Sequence, residues 1–282
     1  MSMALSNTTH YSITDEEFLQ FKTLLYDESG ITLSEHKKTL LVSRLTKRLR
    51  KLELKSFTEY YNYVVHGVNG GEEFVQMLDL LSTNKTDFFR EPKHFEFLAQ
   101  TIMPELASQR KIRIWSSACS SGEEPYSIAI TLCEAMGSKK WDCKILASDL
   151  STRVLAHAAN GIYEKDRVKD LDRARLHRFF LKGKKGDKVR AKKEIAQMIA
   201  FKRINLMNDD YPITTALDLI FCRNVMIYFD KETQERLVNN FYRYLKPNGY
   251  LFIGHSESLQ WLDTPFVPIA PTIYQKKEAD EG

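Results

Sequence analysis

Apolar positions along this chain follow two rhythms. Between His36 and Lys55 leucines recur at Leu41, Leu45, Leu49 and Leu52, the spacing that lines one face of an α-helix. A helical pattern runs on to the sequence LDLLS at 78–82. Beyond Thr83 the rhythm changes to short apolar runs that end in polar or small residues, at 112–115, 144–147 and 219–222, each reading as a buried strand. Helical spacing alternates with them: Ile128, Leu132, Cys133 and Met136 in one segment, then 152–159, then 231–245. A turn at 246–249, where Asn248 and Gly249 suit positive φ, leads to a strand at 250–254, and a last strand falls near 272–275. Strands alternating with helices predict an α/β fold with a parallel sheet. The change of rhythm predicts two domains, helical over 1–83 and α/β over 84–282, and 282 residues suffice for both.

The segment from Lys111 to Met136, KIRIWSSACSSGEEPYSIAITLCEAM, combines strand, small-residue loop and helix start. Ser116 to Gly122 let backbone approach a ligand, and Pro125 has the φ of a first helical turn. Such a unit begins many nucleotide sites, but Glu123 and Glu124 stand where a pyrophosphate would meet the helix dipole. S-adenosylmethionine has no phosphate, and its sulfonium and ammonium are favoured by nearby carboxylates. The same two acids would also complement the helix dipole with no ligand involved.

Two further strand ends carry polar chemistry. Asp149 follows the second strand, where an acid can accept both ribose hydroxyls, although it lies somewhat farther along than the ~20 residues usual in dinucleotide sites. It would equally serve as a cap for the following helix. Arg223 and Asn224 follow the strand at 219–222, with Tyr228 and Phe229 close behind, at the position where open α/β sheets bind ligands. Satisfying loop carbonyls and packing would be the plainer roles for these residues.

Six collinear blocks give the chain, from about Tyr11 to Gln275, a resemblance to the CheR family of chemotaxis protein methyltransferases: TNKTDFFRE at 83–91, SSGEEPYSIA at 120–129, ASDLS at 147–151, INLM at 204–207, FCRNVMIYFD at 221–230 and GHSE at 254–257. The resemblance implies a Rossmann-like S-adenosylmethionine-dependent methyltransferase domain, an N-terminal all-helical domain and a small inserted β subdomain at about 178–202. It implies transfer of a methyl group from S-adenosylmethionine to glutamate side chains on the cytoplasmic helical bundle of chemoreceptors, giving a γ-methyl ester and S-adenosylhomocysteine. By the same resemblance Asn84, Thr86 and Arg90 contact the cofactor, with Arg90 suited to its carboxylate. Glu124, with Glu123 beside it, faces the ammonium; Asp149 holds the ribose; Asn205 and Leu206 flank the adenine; Arg223 and Asn224 close the methionine end. Tyr228 matches an aromatic position beside the transferred methyl, and Arg90 and Tyr228 are the candidates for orienting the acceptor. A glutamate is already ionised at neutral pH, so no enzymic base or nucleophile is required, and a phenol serves better as wall or hydrogen-bond donor.

Residues 36–55 hold eight Lys or Arg and a single Glu. Arg44, Lys47, Arg48, Lys51 and Lys55 share one helix face beside the leucine stripe. A basic face steers an acidic protein surface or nucleic acid, or is simply solvated. The resemblance implies receptor docking through Arg44, Lys47, Arg48 and Arg50. An RNA-modifying enzyme would also use a basic helix, but no aromatics are interleaved with these lysines, so nucleic acid is not an expected partner. Intact Arg90, Asp149, Asn224 and Tyr228 weigh against a non-catalytic binding module. The lysine-rich stretch 181–201 occupies the place of the inserted subdomain, with Val189 and residues 195–201 as its strands around a turn at 183–187. That turn is short for a member that tethers a receptor C-terminal peptide.

Composition narrows the setting. Net charge is +4, so the local helix matters more than the total. Cys119, Cys133, Cys143 and Cys222 form no CxxC pair and no metal-ligand grouping, which predicts reduced thiols and no metal. No apolar stretch approaches the ~18 residues of a membrane span, and no charged segment followed by an apolar run opens the chain. A cytoplasmic monomer without direct membrane insertion is expected.

Overall fold

The computed structural model describes residues 11–82, 85–137, 139, 141–184 and 186–277. The chain divides into two compact units, Met1–Thr83 and Asn84–Gly282.

The first unit is helical, with α1 (Asp15–Ser29), α2 (Lys38–Lys51), α3 (Phe57–His66) and α4 (Gly70–Leu81). Thr14 opens α1 with a capping box, its hydroxyl accepting from Glu17 N while the Glu17 carboxylate accepts from Thr14 N. Each helix buries one stripe: Phe18, Phe21 and Leu25 from α1, Leu41, Leu45 and Leu49 from α2, Phe57, Tyr60 and Val64 from α3, and Phe74, Met77 and Leu78 from α4. The leucine stripe expected of α2 is therefore core.

The second unit begins with α5 (Lys93–Phe97), which runs through a π-helical turn at Leu98–Ile102 into α6 (Met103–Glu105). Then come β1 (Lys111–Ser116), α7 (Glu123–Met136), β2 (Asp142–Asp149), α8 (Thr152–Asn160), β3 (Ile162–Glu164), α9 (Arg173–Phe179), β4 (Phe180–Lys182), β5 (Lys188–Ala191), α10 (Lys193–Ala196), β6 (Ile199–Arg203), β7 (Leu217–Cys222), α11 (Lys231–Tyr244), β8 (Leu245–Ile253), β9 (Val267–Ala270) and β10 (Ile273–Gln275). A seven-stranded sheet has the order β6-β2-β1-β7-β8-β10-β9. Its first five strands are parallel, and β10 pairs antiparallel with both β8 and β9. All six residues of β7 are buried, as a strand covered on both faces requires. This is the Rossmann-like arrangement expected of the second domain.

The inserted sheet departs from expectation. It has the order β3-β5-β4, so its first strand lies at Ile162–Glu164, well before 178. Residues 195–201 do not belong to it: Ile195 is buried in α10, and Ile199–Arg203 pairs in parallel with Ile145 to Asp149 at the edge of the main sheet. The physical reason is that β2 would otherwise end the sheet with an unpaired edge. Ile199 and Phe201 also pack against Cys119, Ala147 and Leu155. The expected turn at 246–249 lies inside β8, where the register slips opposite Leu217 and Leu219 and Asn248 takes φ 62°.

Cys119, Cys133, Cys143 and Cys222 are buried free thiols. Among the described residues no helix is long and apolar enough to cross a membrane.

Candidate cofactor and methyl-transfer site

Because β6, β2, β1 and β7 run parallel, the segments after them emerge at one edge of the sheet. The loop after β1 is fastened to both neighbouring strands: Ser117 N donates to Phe221 O at 2.9 Å, and Cys119 N donates to Ser148 O at 2.8 Å. It ends at Gly122, whose φ of 98° favours glycine. A Cβ there would also lie 2.8 Å from both Ala158 Cβ and the Tyr163 hydroxyl. The glycine expected to admit a ligand thus admits α8 and Tyr163.

Arg223, just past β7, is the centre of the charged node. Its side chain is 2 % exposed, and it donates from Nη1 to Glu124 Oε2 at 3.0 Å and from Nη2 and Nε to Glu91 Oε2 at 2.9 and 3.3 Å. It also donates to the Arg90 carbonyl. Ser116 Oγ holds the other oxygen of Glu124 at 2.7 Å. Glu91 Oε1 accepts from Asn224 Nδ2 at 3.3 Å and His255 N at 3.2 Å. Burial alone would raise the Glu91 pKa; the Arg223 guanidinium, the His255 N–H and Asn224 together hold it below the usual carboxylate range. The node therefore joins the segments after β7 and before α5 to the first turn of α7.

Glu123 does not share the position of Glu124. It is 1 % exposed, accepts Ser121 Oγ at 2.6 Å, and pairs with Arg167 through Nε at 3.1 Å and through Nη2. It was expected beside Glu124 toward an ammonium; consecutive residues at a helix start point about 100° apart, and Glu123 meets Arg167 instead of the Arg223 node.

Asp149, the last residue of β2, accepts Ser120 N at 2.9 Å and Ser151 N at 3.0 Å. The cap of α8 is Ser151, whose hydroxyl accepts Val154 N, so capping is not the work of Asp149. Beyond β6, Asn205 Oδ1 accepts Met207 N at 3.0 Å and the Leu206 carbonyl accepts the Tyr211 hydroxyl at 2.8 Å, leaving both residues half-buried.

The segment before α5 is tightly wound. Phe89 and Glu91 take φ of 53° and 59°, conformations that cost a non-glycine residue of order 1–3 kcal/mol each. The turn is held by Phe89 N donating to Ser127 Oγ at 2.9 Å, and Arg90 Nη1 donates to Lys85 O at 3.0 Å. Thr86 and Arg90 are half-buried here, and the Thr86 carbonyl accepts from Arg167. Asn84 lies outside the described residues. Asn224 takes φ 59°, and Tyr228 ends the 3₁₀ turn Met226–Tyr228, half-buried.

Sequence reasoning missed three site residues: Glu91, Glu257 and Arg167. Glu91 and Glu257 stand inside the matching blocks, which is the signal that could have found them, while Arg167 lies in no block at all. Arg167 joins Glu123 to Thr86 and to Asp87, whose Oδ1 is 3.5 Å from Nη1. The Glu257 carboxylate accepts backbone N–H groups from Asn224 at 3.0 Å, Ile227 at 3.3 Å and Gly254, shaping the turn that carries Asn224 and Tyr228. Burial raises its pKa, opposed by those amides. Glu257→Gln removes one acceptor oxygen and strands an amide, so chemical denaturation should show a loss of about 1–3 kcal/mol. A stability equal to the parent chain would remove Glu257 from this role.

The basic helix of the first unit sorts differently from its spacing. Arg48 pairs with Glu73 through Nε at 2.6 Å and through Nη2, and the Tyr60 hydroxyl donates to the same carboxylate at 2.8 Å. The Glu73 side chain is only 4 % exposed. Arg44 Nη1 donates to the carbonyls of Leu80 at 2.6 Å and Ser82 at 3.2 Å, closing the end of α4. Arg44 and Arg48, both expected to dock a receptor, here satisfy buried or terminal acceptors of their own unit. Lys47 and Arg50 are exposed, with Arg50 lying 5.9 Å from the Tyr11 ring centroid.

A family model described as "CheR methyltransferase, SAM binding domain" matches residues 84–274, and one described as "CheR methyltransferase, all-alpha domain" matches residues 16–82. The chain is 42 % identical over 273 residues to the chemotaxis protein methyltransferase of Borreliella burgdorferi, covering 94 % of this chain and 95 % of that protein. It is 44 % identical to chemotaxis protein methyltransferase 2 of Pseudomonas aeruginosa over 94 % of each, and 39 % identical to the Escherichia coli chemotaxis protein methyltransferase over 97 % and 95 %. Family models matching both units, and relatives 39–44 % identical over nearly the whole chain, place this chain in the CheR family of S-adenosylmethionine-dependent methyltransferases.

Proposed function

We propose that the chain transfers methyl groups from S-adenosylmethionine to glutamate side chains of chemoreceptor cytoplasmic domains, forming γ-methyl esters for chemotactic adaptation in the cytoplasm. The observation that carries this reading is the end-to-end match to relatives named chemotaxis protein methyltransferase, spanning both units.

S-adenosylmethionine supplies an activated methyl on a sulfonium, and the residues present fit it. Asp149 offers a carboxylate at a strand end for the ribose hydroxyls, and Asn205 and Leu206 offer a polar group and an apolar wall for adenine. To the methionine end we assign Arg90, Glu124, Arg223 and Asn224, which meet around Glu91 and Arg223, together with Thr86 and Asn84, which precede them in the chain. Arg223 lies against Glu91 and Glu124, so its role is to fix Glu124 and the Arg90 backbone rather than to meet the ligand directly. Arg90 and Tyr228 then orient the acceptor carboxylate, and closure of the site removes its water. Esterification takes the acceptor from minus one to zero, which shifts a two-state receptor by relieving repulsion in an acidic bundle. Docking falls to the exposed cations of α2, Lys47 and Arg50, with Lys51 beside them. The short turn between β4 and β5 favours recognition without a peptide tether.

Radiolabelled methyl should pass to purified receptor cytoplasmic domains and leave as methanol in base, and Glu→Ala receptor substitutions should abolish it. Cofactor binding without transfer to any receptor would overturn the reading. Asp149→Ala should weaken S-adenosylhomocysteine binding by at least about tenfold, the equivalent of one charge-assisted hydrogen bond of ~1.5–3 kcal/mol, measured by calorimetry. Unchanged affinity would remove Asp149 from the cofactor contacts.

A further inference from the structure

Beside the Arg223 node, Glu91 also belongs to a second group of donors, with two histidines that methyl transfer does not use. Glu91 Oε2 is 3.7 Å from His94 Nδ1 and 4.0 Å from His255 Nε2, and all three donors lie within 4.8 Å of one another. His94 is 1 % exposed, and its Nδ1 has no hydrogen-bond partner. The Thr272 hydroxyl lies 2.7 Å from the Pro271 carbonyl and 2.8 Å from His94 Nε2. In the tautomer protonated at Nε2 the hydroxyl donates to that carbonyl and accepts from the ring, and Nδ1 presents a bare lone pair toward the Glu91 carboxylate. Two acceptors face each other across a gap that a cation would bridge.

We propose that Glu91 Oε2, His94 Nδ1 and His255 Nε2 form a site for a divalent transition-metal cation of the zinc class, and that its occupancy weakens cofactor binding by drawing Glu91 away from Arg223. Two imidazoles and one carboxylate make a donor set that zinc and its neighbours accept, leaving a fourth position for water. Bonds of about 2.0–2.1 Å in a tetrahedron put donors roughly 3.3–3.4 Å apart, so the site closes with shifts below about 1 Å. The Thr272 hydroxyl on His94 Nε2 is the kind of outer support that metal-bound imidazoles use. The His255 side chain is half-exposed and supplies the route of entry. Glu91 Oε2 is also the oxygen that accepts from Arg223, so binding a cation there competes with the ion pair that fixes Glu124.

The test is equilibrium dialysis of Co²⁺ or Zn²⁺ against the full chain and its His255→Ala variant, which keeps the backbone N–H that Glu91 accepts. The parent chain should bind one equivalent, with Co²⁺ bands of a nitrogen and oxygen set and no thiolate charge transfer. His255→Ala should bind at least about tenfold more weakly. Zinc should lower the S-adenosylhomocysteine affinity of the parent chain by about tenfold, reversibly with chelator, and leave that of the variant unmoved. Equal metal binding by parent and variant would overturn the site, and so would thiolate bands in the cobalt spectrum. Cofactor affinity indifferent to zinc in the loaded parent chain would overturn the coupling.

Discussion

Replacing Arg223 with alanine should cost about 3–5 kcal/mol of folding stability and abolish measurable S-adenosylmethionine binding. The magnitude comes from the partners left behind, because removing one member of a buried ion pair strands an uncompensated charge. Here two carboxylates would be stranded, those of Glu91 and Glu124, together with the Arg90 carbonyl. Glu91 sits in a strained backbone turn that this arginine holds, so the segment carrying Arg90 should loosen as well. Arg223→Lys supplies a charge but reaches only one carboxylate at a time, and should recover stability more than cofactor affinity. Denaturation in urea and calorimetric titration on the same preparations separate the two losses. An alanine variant that melts with the parent chain and still binds cofactor would refute the node.

The second large effect concerns the basic helix, where charge reversal at adjacent positions should have opposite meanings. Arg48→Glu sets a carboxylate against Glu73, which is buried and also bonded to Tyr60, and should destabilise the first unit by about 3–5 kcal/mol or more. Loss of receptor methylation in that variant would follow from unfolding. Lys47→Glu combined with Arg50→Glu changes only exposed positions and should leave the melting curve within ~0.5 kcal/mol of the parent. That double variant should nevertheless slow methylation of receptor domains, most at low salt, with cofactor affinity unchanged. Unimpaired methylation by the double variant at low salt would remove α2 from docking.

Much of the fold was legible because burial imposes a period. The leucines of α2, the unbroken apolar run of β7 and the Ile128 to Met136 spacing of α7 all needed only local sequence. The placement of Asp149 at the end of β2, and of Arg223 and Asn224 just past β7, was legible too, since the apolar runs before them mark where polar residues surface. What stayed hidden was partnership across distance. Nothing near Arg48 says that Glu73 will claim it, and nothing near Glu123 says that Arg167 will. A helix face with five cations reads as one surface until tertiary packing decides which of them meet acceptors. The strand at Ile199–Arg203 was assigned to the wrong sheet for a related reason, since periodicity reports that a strand exists and not which edge it completes.

The bond from Arg167 to Glu123, Thr86 and Asp87 has a consequence for modularity. A small sheet inserted between β2 and β6 looks like a replaceable ornament, open to exchange or enlargement to suit different receptors. Yet the arginine that leaves it grips both the start of α7 and the segment carrying Arg90. Exchanging the insert without that side chain would detune the cofactor pocket even though no residue of the pocket itself had changed. Swaps of this region should therefore keep Arg167 as their boundary, with the variable hairpin confined to positions C-terminal to it.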